Sequence, residues 1–138
     1  MSLERYGVID EPGRPRICLG LAQGDWFTVC TTARDRSADI KGQIFQVLAA
    51  FDGYLTEASC GKSRLLTAQI WLKRMSDFDV MTEIWNNWID RENPPTFSCL
   101  RADMSTEEAL VEIRISAARL RGEGVNQRNG SRPNVLRL

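Results

Sequence analysis

Apolar residues follow two alternating rhythms along the chain, a two-residue period and a helical one, and the changes of rhythm mark the elements. Ile17 to Leu21 is a short apolar run, Gln23-Gly24 is a turn signal, and Trp26 to Thr32 alternates in aromatic and β-branched types. That pattern predicts a hairpin whose second strand splits into Phe27, Val29, Thr31 on one face and Trp26, Thr28, Cys30 on the other. Residues 37–58 then change period. Ile40, Ile44, Val47, Leu48, Phe51 and Leu55 form one helical stripe, with Asp39 suited to the N-terminal end and Gly61 supplying a stop.

Two-residue alternation returns over 65–73, with Leu66, Ala68, Ile70 and Leu72 on one face and Thr67, Gln69 and Trp71 on the other. Ser76-Asp-Phe-Asp fits a capping box with Asp79 in the usual Glu position, and opens a second helix reaching about Asp90. Phe78, Met81, Ile84, Trp85, Trp88 and Ile89 make its buried stripe, and Asn93-Pro94-Pro95 prevents its continuation. A final hairpin is expected from Thr96 to Ala117, with Cys99 and Glu112 on its two strands. Val111, Ile113 and Ile115 take one face of the last strand, and Glu112, Arg114 and Ser116 the other. Residues 1–16 read as an edge segment or arm, and residues 122–138 as a polar, glycine-rich, flexible tail beyond a domain of residues 1–121.

The order β-β-α-β-α-β-β is an α+β pattern. Its helical crossovers put both helices on one face of a single sheet. The other face then carries Trp26, Thr67, Gln69, Trp71, Glu112 and Arg114, with no remaining element to cover it. A half-apolar face of that kind is expected to meet another subunit.

Composition narrows the chemistry. The 138 residues suit one domain, and 43% hydrophobic residues suffice for a core. Eighteen basic and eighteen acidic residues give a net charge of zero, so a nucleic-acid partner is not expected. The sparse basics at Arg119, Arg121, Arg128 and Arg132 make no patch. No apolar run reaches the ~20 residues of a membrane span. Four dispersed cysteines without a C-x-x-C pair, and no apolar leader, point to free thiols in the cytoplasm. There is no histidine, which removes Ser-His-Asp and Cys-His activation and His-containing zinc sites. No metal or other cofactor is expected.

Residues 62–89, the Pro94-Pro95 entry, Ser98-Cys99, Leu110-Val-Glu-Ile, Glu4-Arg5-Tyr6-Gly7-Val8 and the Ser37-Ala-Asp-Ile-Lys-Gly-Gln helix opening together resemble the Rid/YjgF family, also called the L-PSP endoribonuclease family. The resemblance covers about residues 3–121. It implies a chorismate-mutase-like domain assembled as a homotrimer with clefts between subunits. It also implies, for catalytic members, hydrolysis of 2-imino or enamino acids. The family's substrate-carboxylate arginine, cleft cysteine and water-holding glutamate correspond to Phe97, Cys99 and Glu112. Cys30, followed by Thr31, stands where the family has a Gly-Gln pair, so a side chain narrows the cleft.

The cleft walls are therefore kept and the cationic clamp is lost. Arg101 shares the face of Phe97 but starts about 13 Å further along at ~3.3 Å per residue. Arg114 is expected to pair with Glu112 or with a carboxylate across a subunit boundary. Each site residue also has a plainer reading: Cys99 and Cys30 as packing, Glu112 as half of an ion pair, Phe97 as a plug. The function expected is a trimer binding a small, less anionic ligand, with imine or enamine deamination lost or altered. The alternatives are a hydrolase of a related imine or enamine using Glu112 to position water, and a structural or chaperone-like trimer.

Overall fold

A computed structural model describes residues 2–119, so the expected tail from Gly122 lies outside the described residues. Six strands form one mixed sheet: β1 (Leu3–Ile9), β2 (Ile17–Gln23), β3 (Trp26–Thr32), β4 (Leu65–Leu72), β5 (Thr96–Arg101) and β6 (Val111–Ala118). The helices are α1 (Ile40–Glu57) and α2 (Phe78–Trp88). The segment read as an edge or arm is strand β1. It pairs antiparallel with β2 and adds one strand to the expected five.

The strand order is β1-β2-β3-β6-β4-β5. The β2–β3 hairpin forms as expected, with Gly24 at φ +60 in the tight turn. The expected final hairpin does not form. The crossover through α2 returns β5 parallel to β4 at the sheet edge, and the 102–110 connection carries β6 between β3 and β4, antiparallel to both. A helical crossover returns the chain parallel to the strand it left: the α2 crossover sets β5 beside β4, whereas the α1 crossover leaves one strand's width between β3 and β4, which β6 fills.

Both helices lie on the same face. Phe27, Val29, Ile70, Leu72, Val111, Ile113 and Ile115 pack beneath Ile44, Val47, Phe51, Met81 and Trp85 in one core. Two expectations of local detail fail. A register shift between Leu65 and Thr67 turns Leu65 inward and leaves Leu66 45% exposed. The capping box is also absent: α2 follows a 3-10 turn over Met75–Asp77, and no side chain caps it.

Helix α1 keeps its expected cap, the Asp39 carboxylate accepting from the Gly42 N–H at 2.9 Å. Its stop is not Gly61. Ser59 takes the left-handed conformation (φ 61), while Cys60 N–H donates to Leu55 O at 2.8 Å and Ser59 N–H to Thr56 O at 3.1 Å. This is a Schellman termination with serine in the usual glycine place. Gly7, at φ +66, lies in β1 between the Tyr6–Gly20 and Val8–Cys18 pairs, which keep one register; a Cβ there would stand 2.6 Å from Tyr54 Oη.

The fully buried polar side chain of α1 is Gln43. Its Nε2 donates to the carbonyls of Arg36, Ala38 and Glu108, each at 3.1 Å, and its Oε1 accepts from Leu110 N–H at 2.9 Å. One carboxamide thus ties the β3–α1 connection to the 102–110 connection.

Two stability outcomes follow. Gln43→Leu removes partners from several buried backbone groups and is expected to lower unfolding free energy by about 2–4 kcal/mol in urea titration. Ser59→Gly relieves a left-handed β-carbon and is expected to raise it by about 1 kcal/mol.

Candidate functional site

The inserted position of β6 decides which expected site residues meet. Cys30 on β3 is opposite Arg114 on β6, Thr32 is opposite Glu112, and Trp71 and Gln69 on β4 flank Glu112 and Arg114 from the other side. Cys30, Glu112 and Arg114 therefore share the open face, as alternation predicted. Thr31 does not join them; it belongs with Phe27 and Val29 on the helix side.

Phe97, Cys99 and Arg101 are in register with Ala68, Ile70 and Leu72, which puts them on the helix side as well. Cys99 packs against the core, and the Phe97 ring lies 5.6 Å from that of Trp85. Cys99 and Glu112 are thus on non-adjacent strands and opposite faces, contrary to the hairpin expectation. A sheet has two faces, and alternation within each strand cannot reveal a strand inserted between two others.

The expected Glu112–Arg114 ion pair is absent. Glu112 Oε2 instead accepts from the Cys30 thiol at 3.3 Å. Arg114 spreads over the Trp71 ring, its Cζ 5.8 Å from the centroid. Burial, then the neighbouring Glu112 charge, pushes the Cys30 thiol up from 9.0 to about 12, with Arg114 partly offsetting them. Burial likewise raises Cys60 to about 11 and moves Cys99 upward. These three thiols stay protonated at neutral pH and are not activated nucleophiles. No disulfide links the four cysteines.

Beside Arg114 lies an open depression of about 510 Å³ lined by Thr67, Ala68, Gln69, Trp71, Thr96, Phe97, Ser98 and Arg114. Ser98 Oγ donates to Gln69 Oε1 at 2.6 Å, while Gln69 Nε2 is buried without a hydrogen-bond partner. Gln69, Trp71 and Ser98 were not assigned to a site from the sequence. For Gln69 and Trp71 the signal available was their placement on the same uncovered face as Arg114. Among the described residues no group of three or more acidic or cysteine side chains could hold a metal ion. No helix among them is long and apolar enough to cross a membrane.

Residues 28–119 match the family described as Endoribonuclease L-PSP. The chain belongs to the L-PSP endoribonuclease (Rid/YjgF) family. A RutC family protein of Haemophilus ducreyi is 36% identical over 84 residues, which are 61% of this chain and 72% of that protein. Among solved structures, an uncharacterized protein of Pseudomonas aeruginosa superposes with a TM-score of 0.77 at 25% identity, over 86% of this chain and 100% of that one. A YjgF family member of Neisseria meningitidis gives 0.76 at 24% identity, over 88% and 98% of the two chains. The Rid/YjgF resemblance and its α+β fold are both met.

The raised Cys30 pKa has a definite sign. Between 9.0 and about 12 the folded chain holds a proton that the unfolded chain releases, so this contribution is complete below pH 9 and is lost as pH rises towards 12. The fall in urea midpoint between pH 8 and pH 10.5 is expected to be smaller in Cys30→Ser than in the unsubstituted chain. Equal slopes in the two proteins contradict the assignment.

Proposed function

We propose that this Rid/YjgF member is a homotrimer that binds a small molecule in clefts between subunits, with standard 2-imino or enamino-acid deamination lost or altered. The observation that carries this reading is Phe97. At the position the resemblance gives to the carboxylate-binding arginine, a ring packs on Trp85 at 5.6 Å and offers no charge. A guanidinium there supplies a bidentate, charge-assisted grip on a carboxylate; a phenyl group supplies only contact area.

The intersubunit part of the reading has two supports. The open sheet face carries exposed apolar side chains, Trp26 at 45% and Leu100 at 54%. Within one chain, moreover, Phe97 and Glu112 address opposite faces. A cleft that uses both walls is completed by a second copy. Free, non-activated thiols fit a reducing cytoplasm, and the same cysteine chemistry gives no route to covalent catalysis. A hydrolytic alternative keeps Glu112 as the group that holds water against an imine carbon, releasing ammonia and a carbonyl product.

Ammonia release from freshly generated iminopyruvate separates these readings. The unsubstituted chain is expected to match the buffer rate, and Phe97→Arg to gain turnover. Robust turnover by the unsubstituted chain, abolished in Glu112→Ala, overturns the binder in favour of the hydrolase. A solution mass near one chain rather than three overturns the trimer.

A further inference from the structure

We infer that Cys30 is a positioning residue for Glu112: its thiol aims the glutamate carboxylate towards β3 and holds it off Arg114. The inference rests on the reading above, in which Glu112 stays able to hold water although Phe97 has removed the clamp. It adds a residue that touches no substrate and decides how well Glu112 can work.

The pairing of β3 with β6 sets the choices open to Glu112. Thr32 stands directly opposite it and Cys30 opposite Arg114, so Cys30 is its diagonal neighbour on one face. Diagonal neighbours lie about 7–8 Å apart, within the reach of a long side chain. Arg114, two residues along β6, is at a comparable distance, and a guanidinium is the stronger partner for a carboxylate. Yet Glu112 Oε2 accepts from the Cys30 thiol at 3.3 Å and makes no ion pair with Arg114. The other two groups are engaged elsewhere. Thr32 Oγ1 accepts from Arg36 Nη2 at 3.3 Å, and the Arg114 guanidinium lies over the Trp71 ring, its Cζ 5.8 Å from the centroid. The thiol is where both charges meet, since Glu112 and Arg114 act on it in opposite directions.

What this does for the chemistry follows from the step Glu112 serves. The carboxylate takes one water proton as the oxygen bonds to the imine carbon and the C=N pair moves to nitrogen, then returns that proton to nitrogen. The hydroxyl proton follows as the C–N bond breaks, giving a carbonyl and ammonia. A carboxylate paired with a guanidinium is a weaker base for the first transfer. A neutral thiol, a weak donor, gives the carboxylate a direction without cancelling its charge. Burial and the Glu112 charge push the thiol pKa up to about 12, so its donor proton is present throughout the neutral range.

Ammonia release from iminopyruvate is measured on Phe97→Arg and on the unsubstituted chain, each with Cys30→Ala or Cys30→Ser added. Cys30→Ala is expected to lower kcat about tenfold with KM changed less than about twofold, a part of what a general base contributes. Cys30→Ser keeps a donor and is expected to recover most of that loss. Equal loss in the two variants, or an effect on KM alone, overturns the positioning role. Infrared spectra of the full chain give a readout independent of turnover. The Cys30 S–H stretching band, isolated by difference against Cys30→Ala, is expected to rise in frequency in Glu112→Gln, because a charge-assisted hydrogen bond is lost. An unmoved band overturns the contact, and thermal melting checks that every variant folds. Turnover untouched by Cys30→Ala overturns this inference alone. Absence of turnover in both parent proteins overturns the reading of Glu112 as a holder of water, and the positioning role with it.

Discussion

The carboxamide of Gln43 is the constraint on which the site end of the molecule depends. It is the side chain of a helix, yet all four of its contacts go to the backbone of two connections, Arg36 and Ala38 before α1 and Glu108 and Leu110 before β6. Two N–H groups serve three carbonyls, so at least one is shared, and the single Oε1 accepts the Leu110 N–H. Water cannot replace these bonds in a core packed to 0% exposure. The entry of β6 is thereby fixed against the exit of β3. Thr32 and Glu112, the first cross-strand partners at that end, inherit their register from it.

From that register follows the division of the site between two faces. With β6 inserted centrally, Glu112 and Arg114 point away from the helices while Phe97 and Cys99, on the edge strand, point towards them. Trp85 then fills the space beneath Phe97, and the aromatic series continues through Trp88 (5.4 Å from Trp85) to Phe51 (6.4 Å from Trp88). The substitution of a guanidinium by a ring is thus absorbed into the core side of the molecule. The polar chemistry that remains is on the open side.

Periodicity made the faces legible but not the neighbours. Trp26, Cys30, Gln69, Trp71, Glu112 and Arg114 were placed on the uncovered face from alternation alone, because a strand's side-chain period is fixed by backbone geometry. The adjacency of strands is decided by crossover handedness and connection length. Sequence nearness suggested a β5–β6 hairpin, whereas the α2 crossover committed β5 to β4. Leu66 failed for a related reason, since one irregular residue reverses every side chain before it. Gln43 and Ser59 were invisible for another. A buried glutamine in a helical stripe and a serine in a left-handed stop both run against propensity, and only tertiary hydrogen bonds identify them.

Binding and hydrolysis separate cleanly in this arrangement. Imine hydrolysis by a Rid-type cleft asks a cation and a glutamate to converge on one substrate, the first fixing its carboxylate and the second presenting water to its imine carbon. Here the glutamate stays, with one oxygen held by the Cys30 thiol at 3.3 Å. Arg114 is two residues along the same strand, roughly 7 Å away by strand rise, and Arg36 Nη2 donates to Oγ1 of Thr32, the cross-strand partner of Glu112, at 3.3 Å. Phe97, on the edge strand β5, addresses the opposite face of the sheet from Glu112. One chain alone therefore does not bring the clamp position and the glutamate onto one substrate.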